Sequence, residues 1–280
     1  MRFSHSLPIV ATLSLATAVL LNSCITSGYD DEASQKHTTE QGYLLGSTLW
    51  VQQSAEYQAL CLQAYAIATE RISQRCEARE DMSTPLAVVF DLDETVLDNS
   101  AYTAWQVANG MAFSNETWAL WTDFAAAPAV PGAVEFMNFA DSLGVALFYI
   151  SNRDVSALVP TQKNMRNLGI PQTEAERFLL KTTTSDKTSR RDSVQALGFE
   201  IALLIGDNLG DFDGKYDKAN TAERANYVND DRNRFANSYI VLPNPLYGTW
   251  EGALYNYDRE LTEDQREALR RKQLKPADIK

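Results

Sequence analysis

Histidine is almost missing from this 280-residue chain. The two present, His5 and His37, both precede the first segment patterned like a folded core. That excludes histidine phosphatases, Ser-His-Asp hydrolases and His-rich zinc sites, all of which need an imidazole in the site. Cysteine is scarce as well, at three residues. Neither Cys61 nor Cys76 opens a Cys-x5-Arg loop, because the sixth residue onward is Ile67 or Met82. Both lie in a stretch, 44–79, that reads as helix, and a straight helix would hold them roughly 22 Å apart, beyond disulfide reach. They pair only if the helix folds back; otherwise they are two small buried hydrophobes. Positive charge is also in deficit, with 25 Lys and Arg against 37 Asp and Glu for a net charge of -12. The longest basic run is Arg270-Arg271-Lys272. This excludes a nucleic-acid polymer as partner, since such binding rests on neutralising many phosphates. Hydrophobic residues at 45% and charged residues at 22% are ordinary for a globular chain, so disorder is not expected.

At the N-terminus, Arg2 precedes an apolar run over 7–21 and a small residue, Ser23, before Cys24. This fits an export signal over 1–23 and is short for a membrane span. Leu21-Asn22-Ser23-Cys24 resembles a bacterial lipobox, which implies lipidation of Cys24 and a membrane anchor. With Ile25 rather than Asp after the cysteine, resemblance to bacterial sorting habits implies an exported lipoprotein, of the outer membrane in a Gram-negative cell. Residues 24–41 are polar and mixed, as suits a flexible tether, and 42–280 is left for one folded domain.

Within 42–80, apolar residues recur at three- and four-residue steps, the mark of an amphipathic helix or helix pair packed on the main core. The period then changes. Leu86-Ala87-Val88-Val89-Phe90 is a continuous apolar run after Pro85, which reads as a strand buried on both faces. Strand-like runs at 145–150, 178–180, 201–205 and 239–242 alternate with helical patterns at 154–168 and 187–197. The expected fold class is therefore α/β, a Rossmann-like, doubly wound parallel sheet. The Trp- and Ala-rich stretch 102–139 is too long for a simple crossover. A mainly helical cap, contributed by about 42–80 and 100–130, is expected to cover the site, and Pro131-Gly132 marks the return to the core before a helix at 133–142.

Three strands end in polar clusters: Asp91-Leu92-Asp93-Glu94-Thr95, Ser151-Asn152-Arg153, and Gly206-Asp207 through Asp211. Ligands of open parallel sheets sit at the carboxyl ends of strands, so the three clusters are expected to converge. With Lys187 at a helix start before the third cluster, the set suits phosphoryl transfer. A carboxylate attacking a phosphate dianion is repelled by about 4 kcal/mol per charge pair at 4 Å and an effective dielectric near 20. A magnesium ion (Mg2+) held by hard carboxylate oxygens, together with one lysine, reverses that field. Asp91 and Asp207 are the natural carboxylate pair. Asp93, two residues beyond Asp91, is positioned to act as acid and base on the leaving oxygen and the attacking water. Ser151 and Asn152 offer a hydroxyl and an amide to phosphoryl oxygens, and Lys187 offers a compact charge. Asp154 and Asp186 precede helical runs and read as caps. Arg153 touches either phosphate or a structural ion pair, and Lys181 is a rival for the role of Lys187. Asp211 ligates metal through water or orients it, and Glu94 reads as a solvated loop acid.

These residues resemble the four motifs of the haloacid dehalogenase superfamily. More narrowly, the chain resembles the class C, or lipoprotein, acid phosphatases, through Leu49-Trp50-Val51-Gln52-Gln53-Ser54-Ala55-Glu56-Tyr57, Gly206 through Phe212, and Leu242-Pro243-Asn244-Pro245-Leu246-Tyr247-Gly248-Thr249-Trp250-Glu251-Gly252. The resemblance implies Asp91 as nucleophile and metal ligand. It implies Asp93 as acid/base that also gives magnesium its backbone carbonyl, Asp207 as a further ligand, and Ser151, Asn152 and Lys187 as phosphate holders. It implies small phosphorylated metabolites as substrates: 5'-nucleotides, nicotinamide mononucleotide and aryl phosphates. Trp118 and Tyr247 would clamp the organic group, with core packing the rival role for Trp118. Because such proteins are often dimeric, a homodimer is an expectation from the resemblance alone. The alternative function is a surface lipoprotein that binds haem or a nucleoside, its phosphatase site vestigial. The shortage of histidine weakens the haem version.

Overall fold

A computed structural model of the chain describes residues 42–79 and 83–279. The signal segment, Cys24 and the tether over 24–41 lie outside the described residues. No described helix is long and apolar enough to cross a membrane.

In chain order the helices and strands are α1 (Gly42–Gln53), α2 (Ala55–Glu77), β1 (Leu86–Phe90), α3 (Ser100–Asn109), α4 (Asn115–Phe124), α5 (Ala133–Ser142), β2 (Ala146–Asp154), α6 (Leu158–Asn167), β3 (Phe178–Lys181), α7 (Thr188–Ala196), β4 (Glu200–Gly206), α8 (Thr221–Asp230), α9 (Arg232–Asn237), β5 (Tyr239–Val241), α10 (Thr249–Leu254) and α11 (Glu263–Gln273). The five strands form one sheet in the order β3-β2-β1-β4-β5, every neighbouring pair parallel. This is the doubly wound order expected from the alternating sequence pattern. Ser54 separates the first two helices: its hydroxyl donates to Trp50 O at 2.6 Å and accepts from Tyr57 N at 3.1 Å. An N-cap that also satisfies the carbonyl behind it ends one helix and starts the next.

The central strand β1 is buried along its whole length. Its side chains alternate between two cores, as a two-residue period requires. Leu86, Val88 and Phe90 face one side with Cys61, Ala68 and Ile72 of α2 and Phe136 of α5. Ala87 and Val89 face the other with Val194 of α7 and Phe212. Burying an aliphatic side chain of this kind contributes about 1.5–3 kcal/mol, so α2 belongs to the sandwich.

The packing of α2 on the main core is the one its amphipathic pattern implies, and it narrows the cap contribution expected from 42–80. The segment forming α2 packs on the sheet because one face, Tyr57, Cys61, Ala64, Tyr65, Ala68 and Ile72, is buried along it. It is α1 that packs along the cap helix α3. Cys61 and Cys76 are both free and share α2. The second strand also runs further than 145–150. It continues through Ser151-Asn152-Arg153 to Asp154 with a register irregularity against β3, so the helix expected from 154 begins at Leu158.

Candidate active site

Parallel pairing places Asp91 just past β1 and Asp207 just past the adjacent β4, and the Asp91 amide donates to Ile205 O at 2.9 Å. Carboxylate oxygens of Asp91, Asp207 and Asp211 all lie within 4.8 Å of one another. Asp211 reaches this group because position 206 is glycine: a Cβ there would stand 2.4 Å from Asp211 Oδ2. The Asp211 carboxylate also accepts from the Asn208 amide at 3.0 Å, closing a capping box.

Lys187, the residue preceding α7, is 4% exposed and inserts its ammonium between two of these acids. It pairs with Asp211 Oδ1 at 2.7 Å and with Asp91 Oδ1. Burial alone would lower the lysine pKa, but Asp211 and Asp91 hold it above its usual value. Burial pushes the Asp91 carboxyl up to about 7, with Asp211 and Asp93 adding to the shift and Lys187 opposing it. Asp207 is raised by desolvation and then by Asp211 and Asp91. One ammonium therefore does not neutralise three carboxylates. Hard oxygen donors carrying excess negative charge suit a hard divalent cation.

Asp93 turns elsewhere. Its carboxylate is held by Arg153, with Nη2 at 2.7 Å and Nε at 3.0 Å from Oδ1, and by Asn99 Nδ2 at 2.9 Å. The turn that aims it has Glu94 in the left-handed region at φ 57, with the Glu94 amide donating to Leu97 O at 2.8 Å. The Asp93 side chain is accordingly not among the three converging carboxylates, which leaves its backbone carbonyl as its expected metal contribution. Glu94 corrects the solvated-acid reading. It is 2% exposed, accepts from the Asn99 amide at 2.9 Å, and its pKa is pushed well up by burial and then by Asp93 and Asp207. Left-handed backbone at a non-glycine residue costs free energy that its surroundings must over-determine, and here the buried carboxylate contact does so.

Ser151 is fully buried, accepts from the Arg153 amide at 3.0 Å, and lies 3.5 Å from Asp93 Oδ2. Asn152 is exposed, and its carbonyl oxygen accepts from Arg190 Nη2 at 2.7 Å. That leaves its amide nitrogen free to donate. Of the two roles open to Arg153, the structure shows the ion pair. Lys187 lies in the acid cluster, whereas Lys181 is half-buried on β3. Asp154 and Asp186 accept from the Ser156 and Thr188 amides, as caps do.

Trp118 on α4 packs edge-on to Tyr102 at 5.1 Å, and the Arg153 guanidinium lies 5.7 Å from its ring centroid. One ring thus joins cap packing to the neighbourhood of Asp93. Tyr247 is 40% exposed in the loop after β5. That loop is tied to the acid cluster by Asn244, whose Nδ2 donates to Asp207 Oδ2 at 2.7 Å. Three residues escaped the sequence reading, Asn99, Trp121 and Arg190, and Asn244 entered it only within the motif over 242–252, with no role of its own. Arg190, one turn into α7 after Lys187, had a helical spacing that signals it; the others meet the site through contacts that no local pattern encodes.

The family model described as "HAD superfamily, subfamily IIIB (Acid phosphatase)" matches residues 17–250. The chain belongs to this family. Among solved structures, this subfamily IIIB protein is similar to the class C acid phosphatase from Bacillus anthracis, with 36% identity and a TM-score of 0.80, covering 85% of this chain and 99% of that one. The same Bacillus enzyme with tungstate bound matches at 35% identity and a TM-score of 0.80, over 86% and 100% of the two chains. Among curated proteins it resembles the Glycine max stem 28 kDa glycoprotein, 26% identical over 167 residues, 57% of this chain and 58% of that one. It also resembles acid phosphatase 1 of Solanum lycopersicum, 26% identical over 133 residues, 45% and 51% of the two chains. The chain spans little more than half the length of these curated relatives.

Proposed function

We propose that this subfamily IIIB protein is an exported, magnesium-dependent acid phosphatase. It hydrolyses small organic phosphomonoesters, namely nucleoside monophosphates, nicotinamide mononucleotide and aryl phosphates. The observation that carries the reading is the convergence of Asp91, Asp207 and Asp211 with Lys187 inserted among them. The tetrahedral tungstate bound by the Bacillus relative is consistent with an oxyanion pocket in the family.

Asp91, Asp207 and the Asp93 carbonyl would hold Mg2+, with Asp211 acting directly or through water. Once bound, the ion supplies the positive field that lets an anionic carboxylate approach an anionic phosphoryl group. Asp91 then attacks phosphorus to form an aspartyl-phosphate, while Asp93 protonates the departing oxygen. In the second half-reaction Asp93 takes a proton from the water that attacks the same phosphorus and frees Asp91. The amide of Asn152, the hydroxyl of Ser151 and the ammonium of Lys187 hold the equatorial oxygens through both steps. Trp118 and Tyr247 receive the organic group, as flat rings suit a base or an aryl ring. Cys24 carries the lipid that anchors the enzyme to a bacterial outer membrane, and assembly as a homodimer belongs to the same reading.

A turnover panel of nucleoside monophosphates, nicotinamide mononucleotide and an aryl phosphate, with and without chelator, tests this. Chelation is expected to abolish hydrolysis and magnesium to restore it, and Asp91→Asn to hydrolyse none while still binding product. A wild type that binds nucleoside or haem yet hydrolyses nothing with magnesium would instead favour the ligand-binding lipoprotein.

A further inference from the structure

Asn99 stands at a crossing of hydrogen bonds between the cap and the acid/base residue. It is 1% exposed. Its Nδ2 donates to Asp93 Oδ1 at 2.9 Å and to Leu97 O at 3.2 Å, and its Oδ1 accepts from Trp121 Nε1 at 2.9 Å and from Arg153 Nη2 at 3.4 Å. The amide has only one workable orientation, because an indole N–H and a guanidinium can only donate, while a carboxylate and a carbonyl accept. Trp121 belongs to the cap helix α4, and its ring packs partly buried against the main core.

The same contacts divide the two oxygens of Asp93. Oδ1 receives three donors within 3.0 Å, from Arg153 Nη2, Arg153 Nε and Asn99 Nδ2. Oδ2 receives only the longer approaches of Arg153 Nε at 3.3 Å and Ser151 Oγ at 3.5 Å. An oxygen whose lone pairs are taken by three donors has no room for a proton, so Oδ2 is the oxygen of Asp93 open to proton exchange with a ligand.

We propose that the cap sets the general acid: Trp121, through Asn99, is a positioning residue that holds Asp93 with Oδ1 saturated and Oδ2 presented to the leaving group. The inference rests on the phosphatase reading above and deepens it. In the step concerned, the Asp91 oxygen forms a bond to phosphorus as the bond from phosphorus to the leaving oxygen breaks. The proton on Asp93 Oδ2 passes to that oxygen, which departs as a neutral alcohol or phenol and leaves Asp93 as carboxylate. Without the tie from α4, Asn99 can rotate, a donor to Oδ1 is lost, and the protonated oxygen wanders from the departing atom.

General acid assistance matters when the leaving group is poor and little when it leaves readily as an anion. The test therefore compares phenyl phosphate with 4-nitrophenyl phosphate, similar in ring and unlike in leaving ability, on wild type and Trp121→Phe at saturating magnesium. The quantity read is kcat/KM, which reports steps up to leaving-group loss. Phenylalanine keeps the ring and removes the N–H. Phenyl phosphate turnover is expected to fall on the order of 10-fold, since a positioned acid contributes 10²–10⁴-fold in full, while 4-nitrophenyl phosphate turnover falls less than about 3-fold. Asn99→Leu, which also deletes the donor to Asp93, is expected to widen the gap. Equal losses on the two esters, or no loss, overturn the inference while leaving the phosphatase reading intact. A wild type that turns over neither ester overturns that reading and this inference with it. A thermal melt of each variant shows whether it is folded, and a Trp121→Phe protein that is folded but equally slow on both esters counts against the proposal.

Discussion

Asn244 donates its side-chain amide to Asp207 Oδ2 at 2.7 Å across a separation of 37 residues, and its carbonyl oxygen accepts from the Leu246 amide at 2.8 Å. One side chain therefore fixes both an acid of the candidate metal site and the entry to the loop that carries Tyr247. Outer-shell partners that orient a metal ligand are typically worth 10–100-fold in metal affinity.

Asn244→Leu, of similar volume and unable to donate or accept, is accordingly expected to raise the magnesium concentration for half-maximal activity by about 10–100-fold. It should also raise KM for aryl and nucleotide substrates, because the Tyr247 loop loses its tie. Titrating activity with magnesium at fixed substrate checks the first, and a KM series at saturating magnesium the second. An unchanged magnesium curve would show that Asp207 needs no such support.

Acid stability is expected to depend on Asp231. Its Oδ2 accepts from Tyr216 Oη at 2.9 Å and pairs with Lys215 Nζ at 2.6 Å. Burial works to raise its pKa, but the contacts with Lys215 and Tyr216 prevail and hold it below the ordinary value. A carboxyl whose folded-state pKa is depressed gives stability that is present above its unfolded pKa, near 3.9, and is lost as pH falls through the folded value. Asp231→Asn should lower stability at pH 7 by about 1.5–3 kcal/mol, the range for hydrogen bonds to charged groups. It should also flatten the fall in melting temperature below about pH 4. Melting curves over pH 2–7 decide it; parallel curves for the two proteins would remove Asp231 from the acid limb.

Much of this was legible before any coordinates, and the legible part is local. The run Leu86-Ala87-Val88-Val89-Phe90 announces a doubly buried strand, the polar clusters after apolar runs announce Asp91 and Asp207, and the start of a helical pattern announces Lys187. What escaped depends on where distant segments touch. Glu94 looks solvated because its burial follows from a left-handed turn that folds it beneath Asn99. Trp121 reads as one more cap aromatic, and only the packed fold shows its N–H on Asn99, 22 residues back. The stretch Ser151-Asn152-Arg153 reads as a polar cluster ending a strand at 150, because it lacks hydrophobic alternation. It lies within β2, bracketed by the pairing of Ser151 and Asp154 with β3 on either side of a register shift.

The carboxyl-terminal helix α11 is expected to hang largely on Arg270. Its guanidinium lies 3.6 Å from the Tyr43 ring centroid and pairs with Glu263 at 2.5 Å and with Glu251, on α10, at 3.0 Å. No residue of α11 is buried, so few other contacts hold the helix down. Arg270→Ala should make residues 258–279 exchange amide hydrogens at least about 10-fold faster, since exchange follows local opening. Arg270→Lys should rescue little, because an ammonium reproduces neither the planar stacking nor the fork to two carboxylates. Hydrogen exchange resolved by peptide measures this, and unchanged protection in the alanine variant would place the anchor elsewhere.

Lys187 offers the sharpest separation of catalysis from architecture. Its ammonium is the buried positive charge between Asp91 and Asp211, so Lys187→Met leaves both carboxylates uncompensated. Two effects of opposite sign in magnesium follow. Stability without metal should fall, since breaking a buried ion pair by removing one partner strands the other charge. The melting temperature gained on adding magnesium should rise, because the divalent cation then neutralises acids that the lysine had held. Activity does not recover with it. In the proposed reaction the ammonium meets the phosphoryl oxygens at a place that a metal ion held by carboxylates cannot fill, and removing one preorganised charge stabiliser typically costs about 10²–10³ in kcat. Lys187→Arg is expected to be nearly as slow, because a planar fork does not fit a space shaped for a point charge that is 4% exposed. Melting curves with and without magnesium, beside kcat at saturating substrate, read the two effects separately. A methionine variant that regains wild-type kcat at high magnesium would reduce Lys187 to a substitute counter-ion and take it out of the chemistry.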